Sequence, residues 1–247
     1  MTSPHTHPPL VRPVLVCLFT SVCLLLTGSA QMPERSDQAD VRSLIEQLKD
    51  HRPDARRRAA AALGNIGPEA KDSVPALIKV LNDPEVEVRI KAAIALGRIG
   101  PEAKAAVTAL IEALRDRIRF VRSSAASSLG QIGAEAKAAV PALVKALRDP
   151  EVEVRESAAR ALGNIGLEAK DSVPALINTL KDRIKYVRRG AALALGNIGP
   201  EAKAAVPVLV KALSDPEVEV RESAAHALGG MGAGAKAAVP ALSLIHI

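Results

Sequence analysis

Tryptophan is absent from this chain, tyrosine occurs once and phenylalanine twice in 247 residues. Rings are the bulky filler of ordinary globular cores. Their scarcity means that the apolar half of the chain, mostly Ala, Leu, Val and Ile, must pack by another route. Small aliphatic side chains suit closely packed helices, which points to an all-helical protein. Cysteine occurs only at Cys17 and Cys23, inside one apolar run. Beyond that run there is no thiol, hence no disulfide framework and no thiolate chemistry. A strong charge of one sign is also lacking. The 33 bases and 27 acids are interspersed and leave a net charge of +6, without the clustered excess of a dedicated nucleic-acid binder. No phosphate-binding loop is present, and no Ser sits in a G-x-S-x-G turn.

Long hydrophobic runs are confined to one place. "MTSPHTHPPLVRP" carries one Arg and no acid, "VLVCLFTSVCLLL" from Val14 to Leu26 is apolar, and "TGSA" ends in Gly28 and Ala30 at a spacing a signal peptidase tolerates. Positive, apolar, then small is the secretory pattern, so residues 1–30 are expected to be a cleaved signal peptide. As a helix the apolar run would span only ~20 Å, short for a bilayer. Both cysteines follow Val, which argues against a lipoprotein signal. The expected location is therefore periplasmic or extracellular, with tethering by an uncleaved signal as the alternative. Removing residues 1–30 lowers the net charge only from +6 to +5. Residues 31–40, beginning "QMPERSDQA", read as a polar linker.

What the chain has in abundance is repetition. Aligned on "VPALIK", units start at Val41, Val74, Val107, Val140, Val173 and Val206, and a partial seventh starts at Val239. Every interval is 33 residues. A fixed period of this size implies a solenoid, because no single unit can bury its own apolar face and each must cover the next. In the second unit the pattern predicts a first helix over Val74–Asn82, with Pro75 in its first turn where a missing N–H is harmless. "DPEVE" is the turn, and a second helix is predicted over Val88–Leu96 with Ala92 and Leu96 inward. Gly97 is expected to stop that helix, and "GPEAK" to lead onward through one short helical turn. The array is expected to run over 41–242. The ending "SLIHI" (243–247) departs from the pattern and suggests a truncated or foreign end.

The consensus "DPEVEVRxxAAxALGNIGPEAKxAVPALI" resembles the HEAT-like repeat found in phycobilisome bilin lyases, over about residues 41–242. The resemblance implies an all-α, right-handed α-solenoid (α-α superhelix) of HEAT-like helical hairpins. It also implies a role for the most repeated charges: Asp50 and Arg56, Asp83 and Arg89, Asp116 and Arg122, Asp149 and Arg155, Asp182 and Arg188, Asp215 and Arg221. In the family these form a hydrogen-bonded ladder tying successive turns together.

Function is better sought where the copies disagree. Three offsets on the second helix vary while their neighbours hold: Arg57-Ala61-Asn65, Ile90-Ile94-Arg98, Ser123-Ser127-Gln131, Glu156-Arg160-Asn164, Arg189-Leu193-Asn197 and Glu222-His226-Gly230. Their i, i+4, i+8 spacing makes one stripe of a helix. A core position does not drift from Ile to Arg to Ser, so the stripe faces away from the core. In the family the second helix lines the concave side, the usual binding face of a solenoid. The plain alternative is a solvated surface free to drift.

The turns show a longer period of 66 residues. Units three and five replace "DPEVEVR" with "DRIRFVR" and "DRIKYVR", bringing in Arg117, Arg119 and Phe120, then Arg183, Lys185 and Tyr186. Such basic-aromatic turns could grip an acidic partner or a glycan. Equally, each ring could fold over a neighbouring turn while the bases pair with Glu85, Glu151 or Glu217.

Relatives of this repeat include enzymes. Deoxyhypusine hydroxylase, a HEAT-type array, holds two irons through His-Glu dipeptides just after the repeat's Val-Arg. Here the matching pairs are Arg57-Arg58, Ile90-Lys91, Ser123-Ser124, Glu156-Ser157, Arg189-Gly190 and Glu222-Ser223. After residue 30 the only histidines are His51, His226 and His246, the first two in units one and six, too dispersed to converge on a metal. The sequence thus points to a non-catalytic protein-binding scaffold or adaptor without cofactor or metal. The alternatives are an enzyme or accessory related to the hydroxylase or the bilin lyases, and polyanion binding through the basic turns.

Overall fold

The computed structural model describes residues 34–232, 234 and 235, with side chains from residue 40 onward. The expected signal peptide (1–30), the partial unit from Val239 and the tail 243–247 lie outside the described residues. Among the described residues there are twelve α-helices and no strand. The first helices of successive units are α1 (Glu34–Gln47), α3 (Val74–Val80), α5 (Val107–Ala113), α7 (Val140–Ala146), α9 (Val173–Thr179) and α11 (Val206–Ala212). The second helices are α2 (Pro53–Ile66), α4 (Val86–Ile99), α6 (Arg119–Ile132), α8 (Val152–Ile165), α10 (Lys185–Ile198) and α12 (Val218–Gly230). Short 3-10 segments carry the chain to the next unit: Gly67–Ser73, Gly100–Ala106, Gly133–Ala139, Gly166–Ser172 and Gly199–Ala205. The architecture is an all-α solenoid of stacked helical hairpins.

Several boundaries differ from the sequence reading. Helix α1 begins at Glu34, inside the segment expected as a linker, because residues 34–40 contain no Pro or Gly to stop it. The first helix of the second unit ends at Val80 rather than Asn82, and its second helix extends to Val86–Ile99 in both directions. Gly97 does not stop that helix. Gly100 does, with φ +74°, a left-handed value that a Cβ would strain. The same holds in every such unit, from Gly67 (φ +77°) to Gly199 (φ +79°).

The first glycine of "LGNIG" has another task. A Cβ built on Gly163 would lie 2.8 Å from the Cα of Ala194 on the next second helix, and one on Gly130 would lie 2.7 Å from the Cα of Ala161. Consecutive second helices therefore touch backbone to backbone along a Gly/Ala seam, which is how the chain dispenses with rings. Leu63, Leu96, Leu129, Leu162 and Leu195 are fully buried beside the seam, with Leu77, Leu110, Leu143, Leu176 and Leu209 facing them from the first helices. Second helices contact one another directly, whereas first helices rest mainly on the 3-10 segments of adjoining units. A stack that is tighter on one side bends toward that side. The second helices form this more closely packed, inner side.

Candidate functional site

Each unit has an edge and an inner face, and the two are built differently. The edge is formed by the Arg at the start of each second helix. Arg56, Arg89, Arg122, Arg155 and Arg188 reach forward 27 residues to Asp83, Asp116, Asp149, Asp182 and Asp215 of the next unit, with two bonds each at 2.6–3.3 Å. The remaining nitrogen, Nη1, donates at 2.9 Å to the main-chain carbonyl of the Asp six residues earlier in its own unit. Arg221 keeps that carbonyl bond to Asp215, and Asp50 pairs with Arg52. Each Asp also accepts the amide of the residue two positions on, at 2.8–3.0 Å, which fixes the turn into the second helix. Burial pushes the Asp83 and Asp149 carboxyls up, but the bonds from Arg56 or Arg122 and from the turn amides outweigh it, and both end below the usual carboxylate range. Asp215 is held low chiefly by Arg188. From Arg56 to Arg188 each guanidinium uses Nε, Nη1 and Nη2 within the fold, so this stretch of the edge has little free chemistry to offer a ligand.

The inner face is the variable stripe. Arg57, Ala61, Ile90, Ile94, Ser123, Ser127, Glu156, Arg189 and Leu193 are half-buried. Asn65, Arg98, Gln131, Arg160, Asn164, Asn197, Glu222, His226 and Gly230 are exposed. Contacts along it are local: Arg160 bonds Glu156 at 2.6 Å one turn back, Arg57 bonds Asp54 at 3.1 Å, and Arg98 donates to the Asn65 amide oxygen at 2.5 Å. Ile94 and Leu193 do not join the hydrophobic core.

A fourth offset, named in the sequence only against the iron-site dipeptides, runs beside the stripe: Arg58 is exposed, Lys91, Ser124 and Ser157 are half-buried, and Gly190 and Ser223 are buried. It borders the preceding second helix, since a Cβ on Gly190 would meet Ala159 at 3.4 Å. Its drift from Arg to Gly was the available signal. Between α2 and α4 the inner face holds a hollow of about 290 Å³, bordered by Ala60, Ala61, Gly64, Asn65, Lys91, Ile94, Ala95 and Arg98.

The basic-aromatic turns stand apart from this face. Phe120 and Tyr186 are half-exposed, and each carries a cation over its ring: Arg119 at 4.8 Å and Lys185 at 5.5 Å. The same cations are engaged by the next unit. Arg119 bonds Glu151 at 3.1 Å, and Lys185 bonds Glu217 at 3.1 Å and Glu219 at 3.3 Å. Alternating basic and acidic turns thus neutralise one another along the stack, which is the physical content of the 66-residue period. Arg117 and Arg183 remain exposed. Among the described residues no group of three or more His, Cys, Asp or Glu is placed to hold a metal ion, and no helix is long and apolar enough to cross a membrane.

A sequence profile of HEAT repeats matches residues 41–130, 107–182, 140–229 and 173–245. The chain belongs to the HEAT-repeat family. No curated protein sequence matches it. Among solved structures, an engineered protein is 31% identical with a TM-score of 0.65, covering 79% of this chain and 97% of its own. A computationally designed armadillo repeat protein for modular peptide recognition is 25% identical with a TM-score of 0.60, covering 77% of this chain and 99% of its own. The complex of CpcE and CpcF of phycocyanin lyase, from a Nostoc species, is 24% identical with a TM-score of 0.58, covering 89% of this chain and 97% of its own. At that identity the likeness speaks for the fold alone.

Proposed function

We propose that this HEAT-repeat chain is a non-catalytic scaffold that binds proteins along its concave face. One observation carries the reading: six second helices hold varied, half-buried or exposed side chains in register on the inner surface, while the Asp–Arg ladder beside them repeats the same two residues in every unit. A stack that keeps its structural positions constant and diversifies one stripe concentrates information on that stripe. The designed relative for modular peptide recognition uses the same kind of fold and supports a peptide or protein ligand. The reading leaves out catalysis and metal, and it places the protein outside the cytoplasm, exported by residues 1–30 as a cleaved signal.

The test is affinity capture with the full chain beside a variant carrying Arg98→Glu, Arg160→Glu and Arg189→Glu. Partners are expected on the parent and lost from the variant. Equal retention by both would overturn the concave-face reading. Stoichiometric iron in the purified protein would overturn the non-catalytic one, and an amino terminus mapped to residue 1 in a cytoplasmic fraction would overturn export.

A further inference from the structure

We propose that the hollow between α2 and α4 is a docking site for an extended acidic peptide that presents a carboxylate beside an aliphatic side chain. This rests on the concave-face reading and names the chemistry of its ligand. The floor of the hollow is Gly64 and Ala95, both buried, and its apolar wall is Ile94, which is half-buried yet outside the core. Two cations border it, Lys91 and Arg98. Among the described residues neither lies within ion-pair distance of a carboxylate, and the one bond of Arg98 goes to the neutral amide of Asn65. Arg57 and Arg58 extend the positive field on the preceding helix; the acids on these two helices are Asp54, paired with Arg57, and Glu87, one turn before Lys91. Four cations against two acids, above an apolar floor, favour an anion whose neighbour is greasy.

The pair of cations is particular to this junction: none of the later ones has a base in both places. At the next one Ser124, Ser127 and Gln131 take the places of Lys91, Ile94 and Arg98. There Gln131 folds over the seam glycine: a Cβ on Gly97 would meet its Oε1 at 2.6 Å and the Ser128 Oγ at 2.7 Å. At Gly64, as at Gly163 and Gly196, the nearest atoms all belong to the facing Ala, so the floor stays open. The positive field does not run on unbroken either, because the stripe turns neutral at Ser123 and Glu156 offsets Arg160 before the next base, Arg189. No aromatic side chain lies in the hollow to stack a base. A short field, an aliphatic wall and an opening onto a shared groove fit a side chain projecting from a peptide laid along the stack better than a nucleic acid.

The test selects a random-peptide phage library against the full chain. The recovered peptides are expected to be enriched in Asp or Glu next to Leu, Ile or Val. Their affinity should fall roughly tenfold or more in Lys91→Glu/Arg98→Glu, and less, in the same direction, in Lys91→Gln/Arg98→Gln. It should be unchanged in Arg117→Glu/Arg183→Glu, on the outer turns, and should weaken with added salt. Far-UV circular dichroism checks that each variant keeps its helices, and the neutral pair decides the matter if the charge-reversed pair does not fold. The proposal is overturned if no acidic-aliphatic enrichment emerges, if binding is indifferent to Lys91 and Arg98, or if a single-stranded oligonucleotide of matched charge displaces the peptides and binds more tightly than they do. Peptides lost instead from Arg189→Glu/Leu193→Glu would sink this site and leave the concave face standing. Peptides indifferent to every stripe substitution would sink both.

Discussion

Arg155 and Arg160 stand five residues apart on helix α8, and the fold uses them in opposite ways. Arg155 is 9% exposed, grips both oxygens of Asp182 in the next unit, and donates to the carbonyls of Asp149 and Pro150 in its own. Arg160 is 58% exposed and bonds Glu156 within the same helix. One guanidinium joins two units and the turn between them, and the other joins nothing that the helix had not already joined. Whether a charge is structural therefore depends on how many separately moving parts its bonds connect. A charge-assisted fork across a unit boundary orders the stack. A solvated pair within one helix adds little and leaves the head free for a ligand.

The core sets the scale against which that contrast is measured. Leu162→Ala, next to both the ladder and the seam, is expected to destabilise by about 2–5 kcal/mol in urea unfolding. A cost near zero would mean that the seam can collapse around the loss. Arg122→Ala should cost about 2–3 kcal/mol, because it strips Asp149 and two carbonyls of a shared donor. If it costs no more than an exposed Arg, the edge is decoration. Gly163→Ala puts a Cβ 2.8 Å from the Ala194 backbone, and overpacking of that kind typically costs about 1–3 kcal/mol, partly offset by alanine's better helix propensity. Arg160→Ala should change stability by no more than about 0.5 kcal/mol while lowering partner affinity. The reverse outcome, unstable but still binding, would erase the distinction between edge and stripe.

Acid sharpens the same comparison. The carboxyls of Asp83, Asp149 and Asp215 are held below their ordinary value in the fold. Such groups contribute stability above the unfolded pKa, about 4, and that contribution is lost as pH falls through the lower folded value. Thermal melting should therefore be level from neutrality to about pH 5 and decline below about pH 4. Replacing Arg122 and Arg188 by Ala should flatten that decline, whereas replacing Arg160 should not.

Much of the fold was legible from residues alone. The 33-residue period, the two-helix unit and the buried Leu and Ala positions follow from spacing, because every copy repeats the same apolar pattern. Helix ends were less legible. No second helix is capped by the side chain of the residue just before it; the Asp two positions ahead of that residue holds the turn instead, by accepting its amide. The two glycines of "LGNIG" look alike on paper. One permits a backbone contact and the other a positive φ, and only a neighbouring helix and the backbone torsion separate them. The stripe was visible as drift among copies. Lys91 was named only in the comparison with an iron site; its spacing places it beside Ile94 and Arg98 on α4, but only Gly64 and Ala60 of the helix before show that the three border one hollow.

The sequence by itself determined that this chain is a stack: a unit too small to hide its own apolar side, copied at a fixed interval, can be stable only against its neighbours. It could not determine which copies its charges would join. In a strict 33-residue repeat an Asp six residues before an Arg and an Asp 27 residues after it occupy the same column, so the pattern is identical whether the Arg turns to its own unit or reaches into the next. Packing decides. The close Gly/Ala approach of second helices brings the following unit's carboxylate within reach, while the Arg's own turn offers a carbonyl. The same approach puts the second helices on the inside and leaves a hollow between α2 and α4.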